Sequence, residues 1–175
     1  MHSVRRGSRR HRGQALYNVL FPVWLLVWLP SWLWLLLIPA NYLIDRIVLW
    51  WGLKGVDGRG DLCRRHTWKV CLAGFAADFV GSALLLACFL ACDPIGADWA
   101  PDFSYALCFN PFGHPVALLV TLGAIALSGV LIYVLDGVVL RKAGIEKDVA
   151  KRAALRLSLI TAPYLFLLPS ALLYR

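Results

Sequence analysis

The chain has 175 residues, 60% of them hydrophobic and only 16% charged, against about 25% charged in an average soluble domain. With a mean hydropathy of +0.67, that composition excludes a water-soluble globule, and the long uncharged runs read as membrane spans. The net charge of +8 would suggest nucleic acid in a soluble protein, but here the cations lie between apolar runs, which favours topology signals and anionic lipid and excludes a nucleic-acid partner. Barrel strands would alternate apolar and polar residues at every second position. Runs such as Leu84-Leu85-Leu86 do not alternate, so the predicted fold class is all-α: a polytopic transmembrane helical bundle.

Residues 1–14 form a basic tail holding Arg5, Arg6, Arg9, Arg10 and Arg12, without apolar periodicity. The apolar run behind it is too long for a signal-peptide core, so the tail is read as part of the working protein. Residues 15–175 are read as one transmembrane domain. Within it, residues 15–53 are almost wholly apolar, roughly twice the length one span needs, and Pro22, Pro30 and Pro39 interrupt them. Leu29-Pro30-Ser31-Trp32 is the best turn, because proline disfavours helix in the residue before it, and Trp28, Trp32 and Trp34 gather there as interfacial anchors. The prediction is a Pro-broken helical hairpin with arms at 15–29 and 31–53. The first arm, about 22 Å long at 1.5 Å per residue, is short for a full crossing.

A polar loop is predicted over 54–69, a span over 70–92, and a loop rich in aspartate, proline and aromatic residues over 93–115. A second span follows over 116–140. A basic stretch over 141–156 reads as a short amphipathic helix, and a last span over 157–174 contains Pro163 and Pro169. The hairpin is thus followed by three spans.

The cations set an orientation. The tail holds five, segment 54–69 five and segment 141–156 six, whereas 93–115 holds none. All three basic segments face one compartment only if 15–53 enters and leaves by the same side. The expectation is an integral protein of a bacterial plasma membrane, N-terminus cytoplasmic and C-terminus outside.

Three aspartates interrupt the spans: Asp45, Asp78 and Asp136. Counted along the predicted helices they lie roughly 12, 13 and 8 Å from the basic ends. An ionised side chain in lipid costs several kcal/mol, so each acid must face protein or water, or take up a proton. Asn41 shares a helical face with Asp45, as Gly74 and Ser82 do with Asp78. One reading is a polar chamber, open to the cytoplasm, built from Asn41, Asp45, Asp78 and Asp136. The other is structural pairing with Arg46, Asn41, Tyr133 or backbone. Cys92 and Cys108 flank the 93–115 loop and suit a disulfide in an oxidising compartment. No motif indicates a catalytic residue, a cofactor or a metal site.

Three functions stay open. The first is translocation of a proton, cation or small solute through a carboxylate-containing bundle. The second is a non-catalytic membrane subunit or scaffold whose basic loops dock anionic lipid head groups or a partner protein. The third is an enzyme acting on lipid head groups, which the lack of a recognisable nucleophile disfavours. A bundle this small also points to a homo-oligomer or a partner membrane protein.

Overall fold

The computed structural model describes residues 22–29, 32–92 and 97–170. The basic tail, residues 15–21 of the first hairpin arm, the Pro30-Ser31 turn, and residues 93–96 and 171–175 lie outside the described residues. Every element within them is helical: α1 (Trp32–Gly52), α2 (Arg59–Cys92), α3 (Ala100–Phe109), α4 (Pro115–Lys142) and α5 (Lys147–Thr161), with 3-10 segments at Val23–Val27, Pro111–Gly113 and Tyr164–Leu167. Three helices, over Trp34–Gly52, Arg59–Cys92 and Pro115–Lys142, are long and apolar enough to cross a membrane. That fits a membrane location.

Four sequence-based boundaries are corrected. Residues 59–69 are not loop but the first three turns of α2, a single helix of 34 residues. Arg, Leu and Lys are good helix formers even without an apolar run, and Asp61 complements the helix dipole in the first turn. The turn is confined to the glycines before it, where Gly55 and Gly58 adopt φ of +91° and +68°, a region open to glycine at little steric cost. At 1.5 Å per residue α2 is about 51 Å long, well beyond a hydrocarbon core of about 30 Å. The 93–115 loop, secondly, contains α3, started by proline at its second position.

Thirdly, the described part of 157–174 is not one continuous helix. The helix predicted over 141–156 continues as α5 to Thr161, where Pro163 forces Ala162 out of helical geometry (φ −55°, ψ 149°). Fourthly, the described part of the first arm is 3-10 rather than α. Pro22 precedes it and only five residues are wound, the length at which a 3-10 segment is commonly used. Pro39, by contrast, is absorbed inside α1.

Two apolar clusters fill the bundle. One, at the basic end, joins Leu49, Leu53, Val70, Ile132, Leu140 and Leu157. The other, at the far end, joins Trp24, Leu85, Phe103, Leu107, Ile125 and Phe166. The segment from α5 to Phe166 therefore runs the length of the bundle, contributing Leu157 to one cluster and Phe166 to the other. The seam between α2 and α4 is made of small residues, which let two helices approach closely. A Cβ on Gly81 would collide with Ser128 Oγ and sit 3.1 Å from the Ala124 carbonyl. Ser128 Oγ itself donates to the Ala77 carbonyl across the seam at 3.1 Å. Gly52 plays the same part between α1 and α5, where a Cβ would lie 2.9 Å from Ala153 Cβ.

Candidate functional site

The polar residues sit on three helices. Asp45 on α1 is 2% exposed and Asp136 on α4 is 0% exposed, while Asp78 on α2 is half-buried. Asp45 lies within range of a direct charge–charge interaction with both Asp78 and Asp136. The three acids thus form a loose row in which Asp45 is near both of the others. The Cys71 thiol, nearly two helical turns before Asp78, donates a hydrogen bond to Asp45.

Among the described residues Arg46, Asn41 and Tyr133 make no hydrogen bond to them, and Arg46 is exposed. Both oxygens of Asp136, Oδ2 of Asp45 and Oδ1 of Asp78 are buried without a hydrogen-bond partner. Burying an ionised carboxylate without a partner costs many kcal/mol, so such a group takes up a proton or a cation instead. Among the described residues no three His, Cys, Asp or Glu side chains gather into a metal-binding group.

A cavity of about 280 Å³ adjoins the row. Its floor is Phe75 and Asp78 of α2, one wall is Trp34, Ile38 and Asn41 of α1, and the opposite wall is Thr161, Ala162 and Pro163 where α5 breaks. Leu26 and Val27 of the first 3-10 segment close the far end. Of the three acids only Asp78 lines it, and most of its surface is apolar. Of the four residues of the expected chamber, Asn41 and Asp78 line this cavity, whereas Asp45 and Asp136 are not in its lining. Asn41, Thr161 and Ala162 also line a shallower depression of about 540 Å³, bounded by Ile44, Ile160 and Tyr164, on the outside of the bundle.

No family model, no curated protein and no solved structure matches this chain. Geometry and chemistry therefore carry the functional reading.

Irregular backbone beside the cavity is held by side chains. Val23 N–H donates to Ser170 Oγ (3.2 Å), which itself donates to the Cys108 carbonyl (3.1 Å). Trp24 Nε1 donates to the Leu107 carbonyl (3.1 Å), Trp28 Nε1 to Ser82 Oγ (2.8 Å) and Trp34 Nε1 to the Leu26 carbonyl (3.0 Å). Trp28 and Trp34, two of the three tryptophans expected as interfacial anchors, together with Trp24 thus fasten the chain around the 3-10 segment to α2, α1 and α3. Cys92 and Cys108 are both buried in the far-end cluster, and Cys108 carries a thiol.

Sequence reading missed Cys71, Phe75, Trp34 and Thr161 as parts of the site. Cys71 was legible: it lies seven residues before Asp78, hence on the same helical face. Thr161 was not, because only the break at Pro163 brings it to the cavity.

Proposed function

We propose that the protein translocates a proton, a cation or a small solute across the membrane, with Asp45, Asp78 and Asp136 as the exchanging groups. One observation carries the reading: Asp136 is fully buried with both carboxylate oxygens unpartnered. An acid kept only for structure would be paired, since an uncompensated buried charge costs several kcal/mol. An acid that must load and unload a cation or proton has to be left without a permanent partner. Asp45, near both of the others, supplies the link, and Asp78 opens the row to the cavity. The broken backbone at Pro163 fits the interrupted segments that line transport sites.

In this reading the basic end faces the cytoplasm of a bacterium, the N-terminus lies inside and the C-terminus outside. The start of α2 and the end of α4 carry the cations there, as the charge asymmetry of the sequence requires. The test is proton and cation flux in proteoliposomes under an imposed potential. Wild type should exceed empty vesicles, and Asp136→Asn and Asp45→Asn should fall to background while keeping their melting temperature. Flux in the wild type no greater than in empty vesicles would sink the proposal.

A second reading, docking of anionic lipid head groups or a partner at the basic end, is favoured by one feature. Arg59 lies 3.9 Å over the Trp50 ring and Arg156 lies 4.4 Å over Trp51. Stacked guanidinium groups on exposed indoles present charge at the level where head groups sit.

A further inference from the structure

We propose that the cavity beside Asp78 binds a compact organic cation: a protonated primary amine carried on an apolar body. As a substrate class this rests on the translocation reading. As a binding site it rests on geometry alone.

The polar groups of the cavity decide its ligand. Thr161 Oγ1 is committed to the Leu157 carbonyl at 2.8 Å, and Trp34 Nε1 to the Leu26 carbonyl at 3.0 Å. Asp78 Oδ1, buried without a partner, is the unfilled charged acceptor, and the Asn41 amide is the other polar side chain in the lining without a hydrogen bond among the described residues. Among the described residues no lysine, arginine or histidine lines the cavity to neutralise Asp78. α5 ends at Thr161 on the opposite wall, so the negative end of its dipole faces the same space. A carboxylate and a helix C-terminus together reject anions and favour a positive group that donates hydrogen bonds.

The remaining surface selects the body of the ligand. Trp34 stacks on Phe75 with ring centroids 6.3 Å apart and planes 10° from parallel, which makes an aromatic wall beside the carboxylate suited to an ammonium. Leu26, Val27, Ile38 and Phe166 supply an apolar lining. The volume is close to the lower limit of about 300 Å³ for small-molecule sites, so the ligand is small. An aminophospholipid carries the same ammonium, but its phosphate would find no cation among the described lining residues.

The experiment is equilibrium dialysis of the full chain in phosphatidylcholine nanodiscs, with 2-phenylethylammonium and its neutral analogue 2-phenylethanol as probes. Saturable amine binding, with the alcohol weaker by about tenfold or more, is expected, because a charge-assisted hydrogen bond is worth about 1.5–3 kcal/mol. Asp78→Asn should abolish the preference for the amine. Ile38→Trp, which fills the cavity and leaves every acid in place, should remove binding of both probes, so the test does not depend on one variant folding. Equal affinity for the two probes in wild type, or amine binding unchanged by Ile38→Trp, overturns the site. Repeating the titration in phosphatidylethanolamine separates the sources: unchanged affinity supports a free amine, and competitive loss supports the same ammonium chemistry with the lipid supplying it. Amine binding without flux would remove the translocation reading and leave the site, whereas flux without amine binding would remove only the site.

Discussion

The seam between α2 and α4 and the rim around the cavity solve the same problem in opposite ways. Both bring backbone segments together inside an apolar environment where every N–H and C=O needs a partner. The seam does it with regular helices, whose backbone bonds are internal, and with Gly81, Ala77, Ala124 and Ser128, whose small side chains allow close approach. The rim does it with 3-10 segments and prolines, and satisfies the freed groups one at a time through Ser170, Trp24 and Trp34. The first arrangement leaves no space, and the second leaves the cavity. The row of acids lies where the two meet, with Asp136 on a seam helix and Asp78 at the cavity edge.

That contrast can be broken most severely at Gly81. Gly81→Leu should prevent the α2–α4 crossing and abolish a monodisperse peak in detergent gel filtration. Gly81→Ala should cost about 1–3 kcal/mol, as overpacking of a filled interior does. Gly74→Ala on the same helix is the control: a Cβ there meets nothing within 4 Å, so the helix-propensity gain of about 0.5–1 kcal/mol should appear as unchanged or raised thermal stability. If both alanine variants behaved alike, close approach at Gly81 would not be what defines the seam.

Next in size is Gly52→Ala, where the new Cβ would lie 2.9 Å from Ala153 Cβ and 3.1 Å from Ala153 Cα. Because α5 has a side free to shift, the expected loss is at the low end of the overpacking range, about 1 kcal/mol, read as a lowered melting temperature. At the rim, Ser170→Ala removes the acceptor of Val23 N–H and the donor to the Cys108 carbonyl together. Leaving buried backbone groups unpaired should cost about 1–3 kcal/mol. It should also raise hydrogen exchange at Val23 while leaving the amides of the α2–α4 seam protected. Uniform loss of protection across both regions would show that rim and seam unfold as one unit.

The smallest effect concerns Cys108 on α3. Burial pushes its thiol up to about 11, so near neutral pH it stays protonated and supplies far less of the reactive thiolate than an ordinary cysteine. Maleimide labelling of Cys108 in the folded protein should be roughly 100-fold slower than in the denatured chain, rising with pH until about 11. Fast labelling at pH 7 would mean that the far-end cluster opens readily.

Much of this was legible in the residues themselves. The lengths and apolarity of α1, α4 and the second half of α2 follow from uncharged runs that no soluble core needs. Asp45, Asp78 and Asp136 stand out because a charge inside such a run is costly wherever the helices go. The prolines at 22 and 163 announce interruptions. The first three turns of α2 were hidden because polar helix outside an apolar run has no periodic signal, and the glycines at 55 and 58 made the whole stretch look like loop.

What tertiary structure alone decided is which side chains meet. The sequence determined that three acids would be buried at some depth and that the chain would break at Pro163. It could not determine that Asp45 comes near both of the other acids, that Arg46 stays exposed, or that Thr161 and Trp34 line one cavity. Those outcomes depend on helix rotation and on close approach at Gly81 and Gly52. Packing across helices sets both, and no local pattern encodes them.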